Sequence, residues 1–205
     1  MSFDLNALPA SPSWQVEPVT WEVDSNGMLS ITAGSETDFF YDPGGKQRRT
    51  DAPRALFTPD RRFTLSAHVT VEFAATYDAG ALLVWADEDH WGKLCFEYSP
   101  QAQPMVVSVV TNDYSDDCNS AVFARNDIYL RVSRLGNDFA FHCSEDGSYW
   151  HLVRHFTLHS GADLAGGGNL QIGFLSQSPT GEQCTATFSD ITYHPEPVKQ
   201  IRSGE

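Results

Sequence analysis

Apolar residues in this chain recur with a period of two. No window sustains the 3.6-residue spacing of an amphipathic helix. Phe63, Leu65, Ala67, Val69, Val71 and Phe73 alternate with polar or small residues. That pattern predicts a long strand with one face in a core and the other turned out. Runs at 81–87 and 93–98 follow, joined by an Asp-Glu-Asp-His turn. A valine-rich run covers 105–112, and 128–134 and 139–143 flank a Leu-Gly-Asn-Asp turn. Further strands are expected at 149–158, 170–176 and 185–193, the first after Ser-Glu-Asp-Gly-Ser and the second after Gly-Gly-Gly-Asn. Turn signals every ~8–12 residues set the rhythm of an all-β sandwich.

The 205 residues suit one such domain, expected over 13–194. A loose segment, 1–12, precedes it and a polar tail, 195–205, follows. Thirteen Phe, seven Tyr and five Trp supply bulk for a core and suit cross-strand packing. A formal charge of −14 repels phosphate backbones and anionic lipid, so nucleic acid and membranes are not expected partners. Lys46, Arg48, Arg49, Arg54, Arg61 and Arg62 concentrate positive charge in one stretch, read as a solvated loop that offsets the acidic bulk, with a local anion site as the alternative.

Cys95, Cys118, Cys143 and Cys184 form no C-x-x-C pair. The first residues carry no basic, apolar leader, and no run reaches the ~20 apolar residues of a membrane span. These features predict free thiols and a cytoplasmic protein.

The run Asp78-Ala-Gly-Ala-Leu-Leu-Val-Trp-Ala-Asp-Glu-Asp-His-Trp-Gly-Lys-Leu-Cys-Phe-Glu-Tyr resembles the family typified by the fungal regulation-of-enolase protein. Thr111-Asn-Asp-Tyr-Ser-Asp-Asp, Asp127-Ile-Tyr-Leu-Arg-Val-Ser-Arg, Ser144-Glu-Asp-Gly-Ser-Tyr-Trp and Gly173-Phe-Leu-Ser-Gln-Ser-Pro-Thr-Gly agree in order. The resemblance implies a concanavalin A-like jelly-roll of two antiparallel sheets, without a settled activity. Such folds use their concave sheet for ligands.

Alternation nominates the residues of that face. Trp85, Lys93 and Glu97 share parity across one hairpin, and Tyr129 and Arg131 point away from the core side of their strand. Asn112 and His142 join them as candidates. A flat aromatic with fixed charges suits a carbohydrate or small anionic ligand. The same residues also fit a structural ion-pair network, and a sandwich face can dock a protein partner instead.

Glycoside hydrolysis needs two carboxylates about one bond. Glucanases of this fold carry Glu-x-Asp-x-x-Glu, whereas the comparable strand here, Lys93-Leu-Cys-Phe-Glu97, has one acid. A neighbouring lysine is expected to favour ionised Glu97, which suits a general acid badly.

His151, His155 and His159 would line a helix as metal ligands but alternate out of a strand. The acidic stretches 87–89 and 113–117 match no dedicated calcium loop. No Walker, G-x-S-x-G or G-x-G-x-x-G motif occurs, and no cofactor is expected.

Overall fold

The computed structural model describes residues 1–159 and 169–205. The glycine-rich turn expected before residue 170 lies mostly outside them. In chain order the strands begin with β1 (Ser13–Val16), β2 (Thr20–Val23), β3 (Leu29–Gly34), β4 (Phe39–Tyr41), β5 (Arg48–Thr50) and β6 (Arg54–Phe57). The middle of the chain gives β7 (Phe63–Val71), β8 (Ala79–Asp87), β9 (His90–Tyr98), β10 (Pro104–Asn112) and β11 (Tyr114–Val122). The last are β12 (Asp127–Arg134), β13 (Asp138–Ser144), β14 (His151–Thr157), β15 (Gln171–Gln177) and β16 (Gln183–His194).

Two seven-stranded antiparallel sheets form the sandwich. The first runs β1-β6-β15-β8-β9-β10-β11 and the second β14-β13-β12-β7-β16-β3-β2. Alternation fills the space between them. Leu82, Val84, Leu94, Phe96, Ile172 and Phe174 of the first sheet meet Leu65, Val69, Leu130, Val132, Phe141 and Phe188 of the second. Burial of such surface is the main stabilising term of the fold.

The first sheet is apolar on its other face as well. Leu83, Trp91, Cys95, Val107, Val109 and Leu175 form a second cluster there with Phe39 and Tyr41. A sheet buried on both faces needs a cover, and the β4–β5 ribbon supplies it. Phe39 stacks on Trp91 with ring centroids 4.1 Å apart. The Tyr41 amide donates to Ser115 Oγ at 2.9 Å, and its hydroxyl donates to the Glu88 carbonyl at 2.7 Å. Arg48 pairs with Asp89 at 2.6 Å.

Several expectations change here. The basic stretch is only partly a solvated loop: Lys46, Arg61 and Arg62 are exposed between strands, but Arg48 and Arg49 belong to β5 and Arg54 is partly buried over the Phe39 ring. Both chain ends are docked rather than loose, with Phe3, Leu5 and Val198 buried. The stretch 113–117 opens the edge strand β11. Its alternation turns Asp116 towards Arg154, 3.0 Å away, while Asp117 lines a different cavity. His151 and His155 lie on β14, as a strand rather than a helical stripe. All four cysteines are free; only Cys118 is exposed.

Candidate functional site

The outer face of the first sheet carries two cavities, one on each flank of the β4–β5 ribbon. A two-stranded ribbon also has period two. Phe39 opposite Thr50 and Tyr41 opposite Arg48 face one flank; Phe40 opposite Arg49 faces the other. The first flank borders a cavity of about 770 Å³ that includes Trp85, Arg54 and Gln15. The second borders a cavity of about 410 Å³ that includes Lys93, Glu97, Asp38, Tyr77 and Gln177.

The smaller cavity is the more built. Lys93 is 2% exposed, held by pairing to Leu83 on one side and Val109 on the other. Its ammonium donates to Gln177 Oε1 at 2.7 Å and stands 3.8 Å from Asp38 Oδ1. Gln177 Nε2 in turn donates to the Tyr77 carbonyl at 3.1 Å. A buried ammonium is costly without partners, so this chain fixes the geometry of the floor.

Tyr77 is placed by a strained turn. Its φ is +69°, rarely tolerated by a bulky residue. Buried Asp78 holds the turn by accepting from the amides of Ala74 and Ala75 and from Ser178 Oγ. The ring is left exposed at the rim.

Glu97 lies on the same side of β9, about 13 Å along the strand from Lys93 at ~3.3 Å per residue. Among the described residues no hydrogen bond or ion pair reaches its half-buried carboxyl. Desolvation pushes it up to about 7, with Asp38 and Asp117 adding and Lys93 opposing. The sequence-based expectation is reversed in direction: desolvation of the carboxyl outweighs the neighbouring lysine. Beside it Cys95 is buried, and desolvation lifts its thiol to about 12.

The candidate residues therefore do not share one surface. Trp85, Lys93 and Glu97 do lie on one face, but the ribbon separates Trp85 from the other two. Tyr129, Arg131 and His142 project from the outer face of the second sheet, with the core between. Tyr129 donates to Asp190 at 3.0 Å and stacks on His68, while Arg131 and His142 lie beneath the C-terminal segment. Asn112 stands at the end of β10, where it accepts from the His159 amide at 2.8 Å. Among the further residues that line the pocket, Asp38, Phe40, Tyr77 and Gln177 were not singled out in the sequence, while Arg49 and Asp117 were read there as part of a basic loop and of an acidic turn. The Pro43-Gly44-Gly45 turn between Phe-Phe-Tyr and Arg-Arg-Thr was the signal for the ribbon that brings three of them.

No curated protein sequence matches the chain. A solved structure described as a functionally unknown protein from Saccharomyces cerevisiae is similar, at 22% identity and TM-score 0.79, covering 89% of this chain and 95% of that one. The GH43 BlXynB protein from Bacillus licheniformis matches at 15% identity and TM-score 0.65, over 88% of this chain but 36% of that one. A xylan beta-1,4-xylosidase from Bacillus halodurans C-125 matches at 12% identity and TM-score 0.66, over 88% and 36%. The chain thus spans about a third of those two proteins, and at these identities the likeness is one of fold. Over residues 14–196 it matches the model of a family described as protein of unknown function (DUF1349), and the chain belongs to that family.

Proposed function

We propose that the protein is a carbohydrate-binding module whose site is the Lys93–Glu97 pocket beside the β4–β5 ribbon. The observation that carries this reading is a cavity of about 410 Å³ combining aromatic edges, Phe40 and Tyr77, with a fixed Lys93–Gln177 pair and a Glu97 carboxyl that has no partner among the described residues. The volume falls within the ~300–1,000 Å³ of small-molecule sites. Rings pack against the apolar faces of a sugar, while the amide, ammonium and carboxyl exchange hydrogen bonds with hydroxyls. The fold supports the reading by its likeness to part of a xylosidase chain.

Electrostatics favours a neutral sugar over an anion. Arg49 already pairs with Asp51 at 3.0 Å, and Lys93 faces Asp38. Asp117 remains, with Glu97 adding charge only as pH rises past about 7, and a ligand carboxylate ~5 Å from Asp117 would cost about 3 kcal/mol at an effective dielectric of ~20. Calorimetric titration with xylotetraose and with an oligogalacturonate tests this. Saturable binding of the neutral oligomer, lost in Tyr77→Ala, is expected. Binding of the uronate alone overturns the neutral reading, and binding of neither overturns the carbohydrate reading.

A second reading rests on Glu97 and the two carboxylates that line the pocket with it. A carboxyl poised near 7 suits a general acid, and Asp38 and Asp117 share its pocket. Slow release of reducing ends from xylotetraose, abolished in Glu97→Gln, would establish hydrolysis; binding without turnover leaves the module reading in place.

A further inference from the structure

The outer face of the second sheet holds a different set of groups. Arg131 on β12 and His142 on β13 are direct cross-strand partners. The chain returns over them after β16. Thr64 Oγ1 donates to the Glu196 carbonyl at 2.8 Å, and the Val198 amide donates to Ser133 Oγ at 3.0 Å. His142 Nε2 lies 2.7 Å from the Ile201 carbonyl, which can only accept, so Nε2 carries the proton and donates. Arg131 Nη2 donates to the Gly204 carbonyl at 2.7 Å. The Arg131 guanidinium also stacks 3.9 Å above the Trp150 ring.

The strap fits the charged groups incompletely. Arg131 Nε and His142 Nδ1 are both buried with no hydrogen-bond partner among the described residues. No carboxylate lies within ion-pair distance of Arg131 among the described residues, although it is 7% exposed. Desolvation brings Arg131 down to about 10. It holds His142 down to about 4, with Arg131 adding and the bond to Ile201 opposing. The strap approaches this closely only because residue 204 is glycine. Its φ is +73°, and a Cβ there would stand 2.3 Å from Arg131 Nη2 and 2.7 Å from Trp150 Cβ.

Nε and Nη2 form one edge of the guanidinium, the edge that binds a carboxylate through two parallel hydrogen bonds. The strap fills it with a single neutral carbonyl. We propose that Arg131, His142 and Trp150 form a binding site for a small carboxylate, covered in this structure by the chain's own segment 196–204. A carboxylate would supply the second oxygen that Nε lacks and the negative charge that the buried guanidinium lacks. The site is separate from the Lys93–Glu97 pocket and lies across the core from it, so either can fail without the other.

The strap competes with the ligand, so affinity in the full chain is reduced by the fraction of time the strap is lifted. The test compares the full chain, a chain ending at residue 195, and full-length Gly204→Ala. Each is titrated with sodium acetate at constant ionic strength while the ¹⁵N imidazole resonances of His142 are followed. Both variants should bind acetate ~10-fold or more tightly than the parent. Arg131→Lys in the shortened chain should weaken binding ~10-fold, because an ammonium cannot form the paired bonds. Absence of a saturable response in the folded variants, an unchanged affinity in Arg131→Lys, or a preference for inorganic phosphate over acetate overturns the proposal. Failure of both strap variants to fold also overturns it, since the strap would then be a structural element.

Discussion

Lys93 and Glu97 stand on the same face of β9, four residues apart, and among the described residues only Lys93 has a partner. Gln177 and Asp38 hold the ammonium, while the Glu97 carboxyl faces the cavity without a hydrogen bond from the described residues. This asymmetry makes Glu97 the titrating group of the site.

Its pH dependence has a defined sign. The folded protein holds Glu97 at about 7, against 4.5 for an unperturbed group. The folded state therefore binds more protons between these values, and the contribution to stability is lost as pH rises through that window. Glu97→Gln should flatten the decline and raise stability at pH 7.5 by on the order of 2 kcal/mol. Urea unfolding of both proteins at pH 4.5, 6 and 7.5 checks this. A parallel decline in the variant would place the effect elsewhere.

Much of the fold was legible because the pleat is local. The alternation of Phe63 to Val71 placed β7, and shared parity placed Trp85, Lys93 and Glu97 on one face. Parity cannot say which sheet a strand joins. Arg131 and His142 point outward, but β12 and β13 belong to the second sheet, so their outward face is the opposite surface. The edge strand β11 was illegible for another reason. Its Ser115-Asp-Asp-Cys-Asn-Ser core is almost wholly exposed, and no buried face imposes an apolar alternation. The direction of the Glu97 shift was also beyond sequence: Lys93 is visible there, but the desolvation of the carboxyl follows from tertiary packing.

The thiols should separate by burial. Cys118 is exposed on β11, whereas desolvation raises Cys95 and Cys184 to about 12 and Cys143 to about 11. Thiolate is the reactive form, so a disulfide reagent at pH 8 should modify one thiol rapidly and the other three only after denaturation. Rapid loss of more than one would show that the core opens readily.

Gly173 stands where the backbone of β6 leaves no room for a side chain on β15. A Cβ there would fall 1.9 Å from the Ala55 carbonyl oxygen on β6. Backbone cannot yield as a flexible side chain does, so Gly173→Ala should cost on the order of 3 kcal/mol or more and lower Tm by ~6 °C or more. Differential scanning calorimetry reads this directly. A near-neutral result would mean that β6 can shift without cost.

Trp85 and Tyr77 separate packing from recognition. Trp85 is half-buried against the second apolar cluster, on the flank of the ribbon away from Lys93. Its truncation removes apolar contact worth ~1–2 kcal/mol and should lower Tm by ~3–8 °C, while xylotetraose affinity stays within about twofold. Tyr77 is 41% exposed at the rim of the other cavity, and its turn is held by backbone bonds to Asp78 rather than by its ring. Tyr77→Ala should therefore leave Tm nearly unchanged and weaken binding ~10-fold or more, the usual effect of losing an aromatic platform. The two variants thus carry opposite signatures, read by paired calorimetric titration and thermal unfolding. If Trp85→Ala loses binding and Tyr77→Ala does not, the ligand occupies the larger cavity beside Arg54, and the recognition site moves to the other flank of the ribbon.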